Sequence, residues 1–559
     1  MTNPILRKEV LTSLRTWKAL AMQVIYLAVL IGLIYDSWPA GGLQSLSGDA
    51  AKNMLVVLGV GQLLLIALFA PAFTSTTLTY EKEQNTFESL FATRLSPWQI
   101  TFGKMAGSLT YLLVLVLMGA PVLAALFLLG GVSGTQVLAV LGILIVTCLY
   151  LGLIGLLVSA LMHRSYRSII VTYAILLVVC LLVAMVAWPM SGNLVKRSGP
   201  VGSKILHVIA SFSPLQAMLS LVSPEGAYTT AARGMPPYWV VYLVLAGLML
   251  VVVTSYLFYQ LHRPVAPPRP RERLKVVERG QITARTFFFL YDPAKRKPMI
   301  RWWQNPVAVK EFRTRPMLQI HWLLRMAIIC LITSLCLTLV VAAAVSKLVG
   351  EGIGLVSQMV AVLAVLQVVL VILVGPAMSA GSICADRETS VWDLMRVSRL
   401  KSWTIVSGKM QAAILPLIIL VLAAALPMLF VTFFKSGLWP SILRCLAVVA
   451  STTLFTVVLG MFFSSMCSRT SAATAWTYSI VLLLSVLTLI QLLGSDRISE
   501  ATKAMIFLPN PVAAVLDAAG LPDFQNKNLF VPHLKFMAVA MAALFGVTVV
   551  RVWRLCKSD

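Results

Sequence analysis

The sequence has few charges, few histidines and no polar stretch the size of a soluble domain. Only 12% of its 559 residues are charged, whereas 59% are hydrophobic, and there are 5 histidines. The longest stretch without a candidate membrane span runs from about 261 to 319, which is shorter than a typical domain of roughly 100 to 150 residues. These scarcities exclude a soluble enzyme with an anchor and indicate a polytopic membrane protein.

Motifs for metals and nucleotides are also missing. Neither C-x-x-C nor H-E-x-x-H occurs, and the 8 cysteines predict no disulfide framework. There is no G-x-x-x-x-G-K-[ST] sequence, because the Gly-Lys pairs at Lys104 and Lys409 are each followed by Met at the start of an expected span. We therefore predict no metal site, no catalytic residue and no cofactor in this chain, and expect any ATP to be hydrolysed by another chain.

Long apolar runs recur along the chain, each long enough to cross a bilayer. An amphipathic segment at 3–17, with an interfacial pattern, precedes the first six runs. Expected spans lie near 18–35, 54–79, 98–129, 137–161, 169–188 and 238–260. A second such segment begins at 305, followed by runs near 320–346, 356–380, 403–433, 438–466, 472–493 and 532–553. The sequence predicts an all-α polytopic membrane protein with about 12 transmembrane helices.

The net charge of +25 reports topology rather than nucleic-acid binding. Lys and Arg collect in the turn at 163–167, in the linker after 260 and in the turn at 81–97. The loops at 36–52 and 130–136 hold one basic residue between them. Since basic loops stay on the cytoplasmic side, we predict cytoplasmic N- and C-termini in an inner, or cytoplasmic, membrane.

The two sets of spans align at a constant offset of 305 residues. Gln62, Pro71, Glu83, Trp98 and Lys104 meet the identical residues Gln367, Pro376, Glu388, Trp403 and Lys409. Polar residues, Pro and Trp at fixed spacing indicate an internal duplication. We predict a first half at 1–260, a basic linker at 261–304 and a second half at 305–559. Because each half has an even number of spans, the halves are expected to be parallel repeats with a pathway between them.

One dense polar turn, Glu81 to Pro97, interrupts two apolar runs in the first half. Asn85 can close the incoming helix and Thr86 can cap a short new one. On that helix Phe87 and Leu90 share a face, which is typical of a helix that offers one side to a partner. The second half has its counterpart after Asp386.

These residues resemble a known family. The first turn carries Glu81, Lys82, Glu83, Thr86, Glu88, Leu90, Thr93, Leu95, Ser96 and Pro97, followed by Gly103 and Lys104. This run is similar to the signature loop of ABC-2 type permeases, the membrane subunits of ABC exporters. Asn85 stands where the family often has Gly, and Arg94 where it often has Pro. The second copy, with Asp386, Arg387, Glu388, Val391, Asp393, Met395 and Leu400, is more degenerate.

The resemblance implies that each turn is a cytoplasmic coupling helix contacting an ABC ATPase subunit. Two such subunits would bring ATP and Mg²⁺, and substrate would move outward between the halves. The expected contact residues are Glu81, Glu83, Glu88, Arg94, Asp386, Glu388 and Asp393. The resemblance also implies short helices, partly re-entering the membrane, near Pro214 and Pro511.

Several alternatives remain open at this point. The acidic residues of the turns could simply form solvated loops. Gln62, Gln367, Tyr173 and Tyr478 could line the pathway or could bond neighbouring helices. An ion-coupled secondary transporter with parallel repeats is the alternative function, although the membrane interior is almost free of ionisable groups. A membrane-embedded enzyme or scaffold is a third reading, and the transported substrate does not follow from the sequence.

Overall fold

The computed structural model describes most of the expected spans. The described residues are 4–14, 17–38, 48–83, 97–129, 131–162, 165–177, 207–208, 211–221, 236–262, 300, 304–314, 324, 327–328, 331–332, 335, 354–389, 391–398, 400–430, 436–486, 500–520 and 528–557. The chain divides into two compact units. Unit 1 comprises Met1–His262 and Ser479–Asn510, and unit 2 comprises Arg263–Tyr478 and Pro511–Asp559.

The first 262 residues of unit 1 contribute helices only, among the residues described. They are α1 (Pro4–Leu14), α2 (Trp17–Ser37), α3 (Gly48–Thr74), α4 (Thr77–Glu83), α5 (Pro97–Leu129), α6 (Gly134–Leu161), α7 (Ser165–Leu177), α8 (Pro214–Ser220) and α9 (Tyr238–His262). Helix α1 packs along α5, as expected for an amphipathic segment. Helix α3 lies at the centre of the unit, where it contacts α2, α5, α6, α7 and α8.

The later part of the chain contains a similar series. Its helices are α10 (Pro306–Thr314), α11 (Gly354–Ser379), α12 (Cys384–Glu388), α13 (Val391–Val397), α14 (Ser402–Phe430), α15 (Trp439–Met466), α16 (Thr470–Val486), α17 (Glu500–Phe507), α18 (Pro511–Ala518) and α19 (Phe530–Lys557). Within unit 2, α10 packs along α14, and α11 contacts α14, α15 and α18. The beginning of α16 belongs to unit 2, and its remainder belongs with α17 to unit 1.

Eight described helices are long and apolar enough to cross a membrane. They lie at Ala51–Glu83, Phe102–Phe127, Gly134–Leu161, Tyr238–Gln260, Val360–Glu388, Ser402–Leu429, Trp439–Met466 and Phe530–Lys557. This confirms the prediction of an all-α polytopic membrane protein. Of the other four expected spans, the one at 18–35 lies within α2. Those at 169–188, 320–346 and 472–493 fall partly outside the described residues, as does most of the linker at 261–304. The total of 12 spans and the two domain boundaries stay predictions.

A short helix begins at each of the two prolines expected to start one. In α8, Ser213 is the N-cap and Pro214 follows at the first helical position, where its missing N–H costs nothing. Pro511 begins α18 in the same way. Helix α8 packs on α3, α6 and α9, and α18 packs on α11, α15 and α19. Their entry into the membrane stays a prediction.

The expected second span is broken near its end in each unit. In unit 1 the helix contains Pro71 and stops at Thr74, and α4 then begins at Thr77. In unit 2, α11 contains Pro376 and a turn at 380–383 separates it from α12. Proline removes one backbone donor and crowds the preceding turn, so a break just after it has a direct local cause.

Candidate functional site

Each broken span ends in an acid-base-acid tripeptide. In unit 1 this is Glu81, Lys82 and Glu83 at the end of α4. The carboxylate of Glu81 is paired with Lys104 at the beginning of α5. Lys104 also donates to Glu9 of α1, with an Nζ–Oε1 distance of 2.5 Å. One ammonium group therefore ties the N-terminal helix, the second span and the third span together.

Lys409 plays the same part in unit 2 and is more completely enclosed. Its Nζ lies 2.9 Å from Glu311 Oε1 on α10 and 2.5 Å from Asp386 Oδ2 on α12. A third bond of 2.6 Å reaches the carbonyl oxygen of Ser382. These three acceptors satisfy all three ammonium donors. The Lys409 side chain is fully buried, so its charge depends on these partners rather than on water.

The two clusters differ in exposure. The side chains of Glu311 and Glu9 are 3% and 24% exposed, respectively. Unit 2 also has a second cation, Lys310, whose Nζ lies 3.3 Å from Asp386 Oδ2 and whose side chain is 34% exposed. Two carboxylates and two ammonium groups thus balance in unit 2. Because screening falls with burial, the cluster around Lys409 is the stronger of the two.

The middle residue of each tripeptide closes the end of the fourth span. Lys82 donates to the backbone carbonyl of Ala160 and, at 3.3 Å, to that of Met162. Arg387 donates to the carbonyl of Cys467 at 3.2 Å. The last carbonyls of a helix lack partners within the helix and carry partial negative charge. A cation at the end of α6 and of α15 therefore satisfies these groups.

The last acid of each tripeptide caps the helix that follows the fourth span, which is α7 in unit 1 and α16 in unit 2. Glu83 accepts from the backbone N–H and the hydroxyl of Ser165, both at 2.8 Å. Glu388 accepts from the backbone N–H of Thr470 at 2.8 Å and from its hydroxyl at 3.1 Å. A carboxylate at a helix N-terminus is favoured by the unpaired N–H groups and by the helix dipole. Helices α7 and α16 are thereby fixed to the end of the second span.

We call each set of five residues a clamp. The first clamp is Glu9, Glu81, Lys82, Glu83 and Lys104, and the second is Glu311, Asp386, Arg387, Glu388 and Lys409. The first clamp joins α1 to α4, α5, α6 and α7. The second clamp joins α10 to α12, α14, α15 and α16. A displacement of any one of these elements must stretch or break charged bonds to the others.

The helix break that precedes each clamp is hydrogen-bonded to the fourth span, which is α6 in unit 1 and α15 in unit 2. Ser159 Oγ accepts from the N–H groups of Leu78 and Thr79, both at 3.0 Å. Ser464 Oγ accepts from Ile383 and Cys384 at 2.9 and 3.0 Å. These N–H groups belong to a new helix start and would otherwise be buried without a partner.

Glycine makes this approach possible. A Cβ on Gly155 would lie 3.0 Å from the Cβ of Thr74, and one on Gly460 would lie 2.9 Å from the Cβ of Ser379. Both distances are too short for ordinary carbon contacts, so only glycine fits against the break. In α6 and in α15, a glycine and, one turn later, a serine therefore lie against the helix break.

Helix α13 lies beside the second clamp and has two different faces. Trp392 and Met395 are buried in a cluster that includes Val307 of α10. On the other side Leu394 is 74% exposed and Val397 is 87% exposed. Large apolar side chains grouped on a short surface helix mark a contact surface for protein or membrane.

The predicted contact residues are divided by the structure. Glu81, Glu83, Asp386 and Glu388 bond within the chain, as the clamps describe. Asp393 is exposed on α13. Glu88 and Arg94 lie outside the described residues. Contact of these residues with another chain stays a prediction.

The four residues considered for a pathway are bonded between helices. Gln62 donates to the carbonyl of Gly119 at 3.5 Å, and Gln367 donates to that of Ala424 at 3.0 Å. Tyr173 donates to the carbonyl of Leu68 at 2.8 Å, and Tyr478 donates to that of Leu373. All four side chains are buried. These bonds match the interhelical alternative, and a role in the pathway stays a prediction.

Sequence reasoning overlooked several residues that the structure brings together. The sequence analysis rejected the two Gly-Lys pairs as phosphate motifs and used them in the alignment, but assigned them no contact. Instead, Lys104 and Lys409 hold the clamps, and a Cβ on Gly408 would meet Asn305 Oδ1 at 2.6 Å. The repeated G-x-x-x-S at Gly155 and Gly460 shares the offset of 305 and was a usable signal. Among the described residues, no group of three or more His, Cys, Asp or Glu could hold a metal ion.

Comparison with known families gives one match. Residues 3–261 match the family model described as ABC-2 family transporter protein. The matched range contains α1 to α9 and therefore the whole of the first clamp. No curated protein matches the chain.

Proposed function

We propose that this chain, whose residues 3–261 match the ABC-2 family transporter model, is the membrane-spanning permease component of an ATP-driven exporter. In this proposal residues 305–559 form a second permease half, and two separate ATPase subunits dock at the coupling helices beside the clamps. The single observation that carries the proposal beyond the matched range is the recurrence of the first clamp at Asp386, Arg387, Glu388 and Lys409.

Several independent contacts support equivalence of the two halves. The pairs Ser159 and Ser464, Gln62 and Gln367, and Tyr173 and Tyr478 make corresponding bonds 305 residues apart. Hydrophobic residues can coincide by composition, but paired hydrogen bonds require the same backbone geometry in both series. The correspondence therefore supports two halves with the same internal geometry.

The docking surface for an ATPase is proposed on α13 and on its counterpart after Glu83. Leu394, Val397 and Asp393 offer apolar area with one charge, a composition suited to a protein groove that accepts a helix. The opposite face of α13 packs against α10, and Met395 Sδ lies 3.9 Å from Lys310 Nζ. A partner that moved α13 would therefore act through Lys310 on Asp386 of the second clamp.

The second clamp connects the docking surface on α13 mechanically to the membrane spans. Asp386 and Lys409 connect α12 to α14, and Glu388 connects α12 to α16. Because charged bonds with buried partners are costly to break, the joined helix ends are expected to move together. Rocking of such a group of helices is a known way to alternate access across a membrane.

The test is a combined docking and transport experiment. Leu394→Asp with Val397→Asp should remove ATPase co-purification and ATP-dependent export while the chain still folds. Met505→Asp is the matched control, because Met505 is also 74% exposed. Export that survives ATP depletion but stops with an ionophore would refute the proposal and favour the ion-coupled alternative.

A further inference from the structure

A cleft outside the clamps lies between the start of α14 and the last turns of α19. It has a volume of about 560 Å³, within the range of small-molecule and lipid sites. Its lining includes Lys401, Ser402, Trp403, Val549, Val550 and Trp553. These side chains combine an apolar wall with polar groups at one end.

The wall of the cleft is unusually aromatic for an exposed surface. Trp403 is 60% exposed and Trp553 is 49% exposed. The ring of Trp403 packs edge-on against Phe545, with centroids 5.2 Å apart. Tryptophan concentrates where a membrane protein meets the headgroup layer, since its ring is apolar and its N–H is polar. This places the cleft at the depth of lipid headgroups.

The rim of the cleft is basic. Val550, Arg554 and Lys557 occupy positions i, i+4 and i+7 of α19 and therefore share one face. Lys557 Nζ lies 4.0 Å from the centre of the Trp553 ring. Lys401 is exposed at the start of α14. In the part of the chain that the structure describes, none of these three cations has an ion-pair partner.

A fourth cation, Arg551, follows Val550 of the cleft lining in α19. The Nε of Arg551 is buried and lacks a hydrogen-bond partner among the described residues. A buried guanidinium N–H without an acceptor is unfavourable, and an anionic oxygen is the ligand that best completes it.

We propose that this cleft binds an anionic phospholipid, with the phosphate at the basic rim and the acyl chains along Val549, Val550 and Trp403. An acidic protein would match the charge but would not need two exposed tryptophans beside an apolar wall. Among the described residues of the first series, α9 ends in Tyr-Gln-Leu-His without Lys or Arg.

The test is lipid binding by the full-length chain in detergent, measured by native mass spectrometry. Phosphatidylglycerol and phosphatidylcholine with identical acyl chains are the probes. The parent chain should bind phosphatidylglycerol more tightly. Arg554→Gln with Lys557→Gln should weaken that binding about 25-fold, because each basic residue near an anionic lipid contributes a factor of roughly five. Binding of phosphatidylcholine should not change.

Two further variants make the result decisive. Arg7→Gln in α1 with Lys535→Gln near the beginning of α19 removes the same charge from exposed positions outside the cleft lining and should leave phosphatidylglycerol binding intact. Trp403→Ala with Trp553→Ala should weaken both lipids. Equal losses in the two charge variants would overturn the proposal, as would full displacement of the lipid by inorganic phosphate. Loss of the ATPase with lipid binding unchanged would assign the cleft to a protein and also overturn it.

Discussion

Replacing Lys409 by Met should destabilise unit 2 more than any other single change in either clamp. The substitution keeps most of the side-chain volume and removes only the ammonium group. Glu311 and Asp386 would then share one remaining cation, Lys310, which is 34% exposed. Removing one partner of a buried ion pair costs about 3–5 kcal/mol, because the other charge stays buried without compensation. Replacing the exposed Lys310 should cost no more than about 1 kcal/mol.

The measurement is thermal unfolding of the detergent-solubilised chain, followed by fluorescence-detected size exclusion. For a unit of this size about 1 kcal/mol corresponds to roughly 2–4 °C, so Lys409→Met should lower the midpoint by roughly 10 °C. The triple variant Lys409→Met, Glu311→Gln, Asp386→Asn removes all three buried charges and should regain part of the loss. A loss for Lys409→Met no larger than that for Lys310→Met, or no recovery in the triple variant, would refute this account of the clamp.

Four further outcomes follow from the same contacts. Lys104→Met should lower the midpoint less than Lys409→Met, since Glu9 is more exposed than Glu311; the same assay checks the order. Ser464→Ala leaves two buried N–H groups without an acceptor and should lower the free energy of unfolding by about 2–5 kcal/mol. Ser465→Ala removes only a bond within its own helix and should lower it little. Gly460→Val should prevent close packing of α15 on the break and reduce the yield of folded protein far more than Gly546→Val, where a Cβ meets nothing within 4 Å. Burial raises the pKa of Asp517, so the ionised carboxylate opposes folding at pH values above the ordinary pKa of aspartate. Asp517→Asn should therefore unfold at a midpoint at least as high as the parent at pH 7. The difference between the two midpoints should shrink as the pH falls.

Local patterns carried much of the architecture. Apolar runs and basic turns predicted the spans, because these signals depend on neighbouring residues and on the solvent, while the short helices at Pro214 and Pro511 were implied by the family resemblance. The offset of 305 aligned Lys104 with Lys409 before any contact was known. The spacing also aligned Glu83 with Glu388, although their roles as helix caps were not foreseen.

Local sequence patterns did not predict which side chains bond to one another. Contact of the tripeptide acids with another chain stays a prediction, while within the chain the structure pairs Glu81 with a lysine 23 positions later and Glu83 with a serine 82 positions later. No local pattern encodes such a pairing, since a carboxylate on a surface turn and one in a buried ion pair have the same neighbours in sequence. Only the packing of helices decides between them.

The sequence by itself therefore determined that this protein is helical and polytopic, and that its parts recur at one spacing, because hydrophobicity, helix capping and repetition are properties of the chain. Tertiary structure alone decided that the tripeptides face inward, that Lys104 and Lys409 hold them, and that Ser159 and Ser464 receive the broken spans. The physical reason is that a buried charge or an unpaired N–H must find its partner in space, and that partner is fixed by how the helices pack.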